Sequence, residues 1–158
     1  MADSKPKKLA KVKTIKLGSK IEFDVVDQPT GRSTYVSEEP NTLTSFRMAN
    51  MQGVYGFLAH NYLAGKNFSN LIIGQRISIN DEEEKQHRYV IKRVDKFQAL
   101  EPKNPHSNFI DLKENQTLSA NDLFKRVYVG DHHLVLQTCI TKDGNDEWGR
   151  MFIIAEPE

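Results

Sequence analysis

Apolar and polar residues alternate along most of this chain with the two-residue period of half-buried strands. Gln75–Ile79 places isoleucine at every second position. Arg88–Leu100 continues as a long strand, Tyr-Val-Ile-Lys-Arg-Val-Asp-Lys-Phe at its centre. Thr14–Leu17 and Lys20–Val26 flank Gly18-Ser19 as a strand pair, and Gly53–His60 reads as a buried strand whose glycines mark a bend or a close backbone approach. Ser45–Met51 is a further expected strand. The helical period is confined to two short stretches. Asn61–Leu71 has apolar residues at 63, 64, 68 and 71, a short helix broken around Gly65. Ser119-Ala-Asn-Asp122 supplies an N-cap and an acidic first turn for a helix through Phe124 and Lys125. Residues 27–44 and 101–115 are rich in turn formers and are expected as loops. Seven or eight short strands with small helical inserts predict a β-barrel or sandwich.

The last quarter is the most specific piece. Leu134–Cys139 and Arg150–Ala155 are β-prone runs either side of a polar turn around Asp143, Gly144 and Asn145, a hairpin pattern. A turn centred between Gly144 and Asn145 makes Cys139 and Arg150 direct cross-strand partners, about 5 Å apart at Cβ. A turn centred between Asp143 and Gly144 pairs Cys139 with Trp148 and leaves Arg150 on the diagonal, about 7–8 Å away on the same face. An odd-membered turn centred on Gly144 sends the two to opposite faces. By alternation Gln137 shares the face of Cys139.

Totals narrow the function classes. The chain has 158 residues, 38% of them hydrophobic, with a mean hydropathy of −0.58. That suits one domain with a real core. No apolar run approaches the ~18 residues of a membrane-spanning helix, and no signal peptide is visible behind the N-terminus. A complete chain of this kind is expected in the cytoplasm. The net charge of +1 conceals an asymmetry, because residues 1–20 hold seven lysines against one aspartate. Residues 1–13 are expected as a flexible basic arm and 14–158 as the folded domain. A basic arm can touch nucleic acid or anionic lipid, but no aromatic-rich basic patch or nucleic-acid motif accompanies it, so a nucleic-acid partner is not expected. The single cysteine excludes an intrachain disulfide. The acidic run Asp81–Glu84 lacks the spacing of a calcium loop and is read as a solvated hairpin tip. No zinc spacing and no phosphate-binding glycine loop occur, so neither metal nor cofactor is expected.

A lone cysteine is most often a small buried hydrophobe, and a lone histidine at a strand end is most often satisfied by backbone. Cysteine chemistry needs a thiolate, a nearby imidazole to manage its proton, and donors for a tetrahedral oxyanion. His60, at the end of the Gly53–His60 strand, is the candidate base; Cys139 is the candidate nucleophile; Arg150 carries the permanent positive charge. His132 and His133 are adjacent on a strand, point to opposite faces, and are read as strand-edge residues.

At these residues the chain resembles the sortase family. Leu136-Gln137-Thr138-Cys139 is similar to the motif Thr-Leu-x-Thr-Cys, with Val135 at the first position, and a strand-opening arginine follows after a loop. Upstream, Phe57-Leu-Ala-His60, the Leu63–Leu71 segment, Gly74-Gln-Arg-Ile-Ser-Ile79 and Tyr89-Val-Ile-Lys-Arg-Val94 resemble the order of elements in that family over residues 14–155. The resemblance implies a mainly β fold, a closed barrel of about eight strands with short helices in its connections and a groove on one side. It implies a cysteine transpeptidase that cleaves a sorting signal such as an LPxTG-like pentapeptide and passes the acyl group to an amine. On that basis Cys139 is expected to form the thioester, His60 to act as general acid and base, and Arg150 to bind substrate and the oxyanion. Thr138 is expected to help shape the oxyanion hole, Gln137 to line the groove, and Trp148 to contact substrate or to pack. The expected partners are a peptide or protein bearing a sorting motif and an amine acceptor, with the chain itself a monomer. The alternatives are a hydrolase using the same residues and a binding or assembly protein without transfer. The family is extracytoplasmic and membrane-anchored, and this chain shows no anchor.

Overall fold

The two-residue alternation becomes ten strands, and eight of them close on each other. The computed structural model describes residues 9–158. In chain order the strands are β1 (Val12–Leu17), β2 (Ile21–Asp27), β3 (Thr42–Ser45), β4 (Tyr55–Leu58), β5 (Arg76–Asp81), β6 (Gln86–Ala99), β7 (Phe109–Asp111), β8 (Thr117–Leu118), β9 (Leu134–Lys142) and β10 (Asn145–Pro157). They hydrogen-bond in the order β10-β9-β4-β3-β2-β1-β5-β6, and a further pairing of β10 with β6 closes the ring, while β7 and β8 extend from β6. Closure removes the free edges of the eight-strand ring. Most pairs are antiparallel, but β2 with β3 and β4 with β9 run parallel. The sheet is therefore the closed eight-strand barrel that the resemblance implies. Of the expected basic arm, residues 1–8 lie outside the described residues, and Val12 and Lys13 belong to β1.

Each barrel strand sends alternate residues inward. Leu134 and Leu136 of β9 join Ile15, Phe23, Phe57 and Ile153 in the barrel interior. Val135, between them, faces outward with Phe152 and Ile154 and is covered by a helix. That helix is α2, Ala120–Tyr128. Ser119 caps it as expected, its Oγ accepting a hydrogen bond from Asp122 N at 3.1 Å. Leu123, Val127 and Tyr128 are buried against the sheet. Tyr128 Oη also donates to Gln137 Oε1 at 2.5 Å, a polar strap between α2 and β9.

Three local expectations change. Ser45–Met51 is not a strand: the strand is Thr42–Ser45, whose first three residues lie in the expected loop, and Arg47–Asn50 coils into one helical turn, α1. The last sheet bond there is Phe46 N to Gly56 O, 2.8 Å, and the chain then turns to bury Ala49. The contact requires a glycine opposite, since a Cβ on Gly56 would lie 2.7 Å from Ala49 Cβ. The 101–115 loop contains β7. The acidic tip is not wholly solvated: Asp81 is buried, and its carboxylate accepts from the Glu83 and Lys85 backbone N–H groups and contacts His87 Nε2 at 2.9 Å. The His87 bond and these backbone donors hold its carboxyl below the usual carboxylate range. Periodicity could not anticipate that closing the turn internalises its first carboxylate. The Asn61–Leu71 helix appears as a 3-10 helix over Ala64–Asn70.

Candidate active site

Three neighbouring strands place the three candidate residues. β9 lies between β4 and β10. On one side, the antiparallel register sets Arg150 opposite Cys139. On the other, the parallel register sets Leu58 opposite Gln137, and Ala59 N still donates to Gln137 O at 3.1 Å. The paired register ends there, and His60 follows Leu58 by two residues as Cys139 follows Gln137. Phe57, Ala59, Leu134, Leu136 and Met151 point into the barrel, so the alternate positions 58 and 60, 137 and 139, and 150 share its outer face. Cys139 and Arg150 thus stand side by side on that face, and His60 follows the end of the strand that pairs with β9 on its other side.

The hairpin reaches this register by combining features of two expected ones. Its turn is centred between Asp143 and Gly144, both at positive φ (52° and 77°), with Lys142 opposite Asn145. That turn alone would pair Cys139 with Trp148. A bulge intervenes: between the pairs Asn145–Lys142 and Gly149–Ile140, β10 holds Asp146, Glu147 and Trp148 where β9 has only Thr141. The two extra residues shift the pairing and bring Arg150 opposite Cys139. Trp148 sits half-buried in this bulge, with Lys142 Nζ 4.8 Å from its ring centroid.

Cys139 is partly buried, and that burial pushes its thiol up from the ordinary range; Arg150 pulls it back, while Glu147 and Asp146 push it further up. Burial and the two carboxylates thus disfavour the thiolate, and Arg150 favours it. Arg150 is held by backbone. Its Nη1 donates to Glu147 O (2.9 Å) and Gly149 O (3.0 Å), its Nη2 to Pro102 O (3.0 Å), and its guanidinium carbon lies 5.8 Å from the centre of the Phe109 ring. Of its five N–H groups, Nε–H and one on Nη2 have no partner among the described hydrogen bonds.

His60 has two companions that periodicity did not reveal. Its Nε2 lies 3.3 Å from Glu38 Oε1, and its ring stacks on Tyr62 at 4.9 Å and 17°. Tyr62 Oη donates to Glu38 Oε2 at 3.0 Å. Glu38 comes from the connection between β2 and β3, which carried no motif. Tyr62 is two residues beyond His60, and aromatic spacing was its only signal. Among the described residues no hydrogen bond joins the imidazole to the thiol.

Of the remaining candidates, Gln137 shares the face of Cys139 and is engaged by Tyr128. Thr138 points to the interior side, opposite the thiol, and its Oγ1 donates to Ala59 O at 2.7 Å. The space behind it admits no side chain: a Cβ on Gly65 would lie 2.3 Å from Thr138 Oγ1 and 2.7 Å from His60 O. The other histidines are elsewhere: His132 contacts Gly53 O and Tyr89 Oη, and His133 contacts Asp131 O and Val127 O. Among the described residues no group of three His, Cys, Asp or Glu is arranged to hold a metal ion, and no helix is long and apolar enough to cross a membrane. Two shallow surface clefts, one around Ser45, Asn50 and Tyr55 and one around Leu71, Ile72 and Met151, include none of the three candidate residues.

The topology of this barrel is found in solved sortase structures. Sortase C1 from Streptococcus suis superposes with a TM-score of 0.59 over 94% of this chain and 73% of its own, at 12% identity. Sortase A from Listeria monocytogenes does so at 0.57 over 94% and 88%, at 14% identity. Sortase C from Clostridium perfringens SM101 gives 0.56 over 93% and 69%, at 11% identity. No protein-family model matches the sequence, and no curated protein matches it. The chain has the sortase fold, in a sequence far diverged from those neighbours.

Proposed function

We propose that this protein is a cysteine transpeptidase that cleaves a short sorting-signal peptide through a thioester on Cys139 and transfers the acyl group to an amine. One observation carries the reading: the antiparallel register of β10 sets Arg150 directly opposite Cys139 on β9, and β4, the strand paired with β9 on its other side, leads into His60. Each has a defined part. Cys139 gives its proton to His60 as Sγ attacks the scissile carbonyl carbon. The Nε–H and free Nη2–H of Arg150 receive the oxyanion, where charge develops. His60 then protonates the leaving amine, the C–N bond breaks and the thioester remains. An incoming amine loses its proton to His60, attacks the thioester and expels the sulfur, which is reprotonated. Glu38 and Tyr62 hold the imidazole plane, and Trp148 and Gln137 are positioned to border the peptide.

The test is a peptide-library cleavage screen read by mass spectrometry, with and without an added amine. Wild-type protein is expected to give a thioester adduct on Cys139 and an amine-dependent product. Cys139→Ala is expected to abolish both, and Arg150→Met to lower kcat by about 10²–10³-fold, the usual cost of an oxyanion donor. Cleavage that persists in Cys139→Ala sinks the proposal; release of free acid regardless of amine reassigns the protein as a hydrolase. A second reading, a sortase-fold binding protein without transfer, is favoured by the burial that raises the Cys139 thiol and by the absence, among the described residues, of a His60–Cys139 hydrogen bond. It predicts peptide binding with no adduct.

A further inference from the structure

The His60 arm is joined to the Cys139–Arg150 hairpin by a side chain with no part in the proposed chemistry. Asn61 Nδ2 donates to Thr141 Oγ1 at 2.8 Å and to Asp146 O at 3.0 Å. Its partners are 80 and 85 residues away in the chain. Both belong to the bulge: Thr141 is its single residue on β9, and Asp146 its first residue on β10. Thr141 Oγ1 in turn donates to Asp146 Oδ1 at 3.2 Å, and Glu147 N to Asn145 Oδ1 at 2.9 Å. The next carbonyl, Glu147 O, accepts from Arg150 Nη1 at 2.9 Å. Two consecutive carbonyls of the bulge are therefore held from opposite sides, one by the neighbour of His60 and one by Arg150 itself.

We infer that Asn61 is a positioning residue: its amide locks the His60 arm to the bulge and so sets where the imidazole stands relative to Cys139 and Arg150. The inference rests on the transpeptidase reading for its functional consequence. The physical case is independent of it. A bulge with two extra residues interrupts the ladder, and an exposed hairpin end is among the first segments to open. Here both amide hydrogens of one asparagine close it. Asparagine suits the place because a single nitrogen supplies two donors. Aspartate has the same shape and supplies none, and would set a carboxylate against Asp146 O.

The experiment compares wild type with Asn61→Asp, Thr141→Val and Thr141→Ser by two readouts. The first needs no substrate. Trp148 is the only tryptophan and lies within the bulge, so acrylamide quenching of its emission reports whether the bulge is held. Quenching is expected to rise in Asn61→Asp, to rise less in Thr141→Val, and to stay nearer the parent in Thr141→Ser, which keeps the acceptor oxygen. The second is the kcat and KM of peptide transfer. Misplacement of a catalytic group by about 1 Å costs roughly 10²-fold, so kcat is expected to fall about 10- to 100-fold in Asn61→Asp with KM little changed. Quenching equal to wild type in folded Asn61→Asp overturns the inference, as does unchanged kcat in an active enzyme. If Asn61→Asp fails to fold, Thr141→Val, which removes one of the two bonds, decides by the same readouts. A wild-type protein without transfer activity defeats the transpeptidase reading alone, because the quenching series still tests the lock.

Discussion

At the residue scale the chemistry turns on a sulfur whose surroundings disfavour its thiolate. Burial raises the Cys139 thiol, and the flanking carboxylates of Glu147 and Asp146 add to the rise, against the single opposing charge of Arg150. A raised thiol pKa means less thiolate at neutral pH, so the pH profile of Cys139 alkylation by iodoacetamide is expected to have its midpoint above that of a free cysteine, about 8.5. Arg150→Met removes the one stabilising charge and is expected to move the midpoint higher. Glu147→Gln removes a destabilising one and is expected to move it lower. Stopped alkylation at a series of pH values, read by mass, checks all three. The residue types at the site were legible in the sequence: a lone thiol, a strand-end imidazole and a strand-opening guanidinium. What the backbone does with them was not. Three N–H groups of Arg150 are engaged by carbonyls of Pro102, Glu147 and Gly149, and Pro102 is 48 residues away.

At the element scale, local rules predicted the pieces that local forces decide. Ser119 caps α2 because a hydroxyl three residues before a free backbone N–H reaches it without help from the rest of the fold. The hairpin was narrowed to a few registers, and the bulge decided among them by giving the turn of one and the pairing of another. The segment after His60 depends on a close approach that no pattern announces. Gly65 sits against Thr138 Oγ1, His60 O and Ala59 O, two of which are backbone atoms that cannot rotate away. Gly65→Ala is expected to destabilise the protein by about 1–3 kcal/mol and to displace the His60 turn. Urea denaturation measures the first effect, and loss of transfer activity exceeding the loss of folded protein measures the second.

At the scale of the whole molecule, one strand carries both structure and site. β9 pairs with β4 and β10, lines the barrel interior with Leu134 and Leu136, and meets α2 through Val135 and Gln137. Leu136 is fully buried, and Leu136→Ala is expected to cost about 2–5 kcal/mol. Because the ring is closed, that loss is expected to appear as a single cooperative transition, with circular dichroism and Trp148 fluorescence coincident on heating; separate transitions would show that the hairpin opens independently of the barrel.

The sequence by itself determined the two-residue period of most strands, the two short helical segments, and the identity of the thiol, the imidazole and the guanidinium. These follow from the two-residue pleat, from side-chain capping and from residue chemistry, all of which act within a few positions of the chain. Only the tertiary structure decided that β4 runs parallel beside β9. That pairing joins residues 79 apart and depends on the order in which eight strands close a ring, which leaves no mark on either strand's own pattern. The approach of the His60 segment to β9, and the reach of Asn61 across to the bulge, follow from that one parallel pairing and the closure that enforces it.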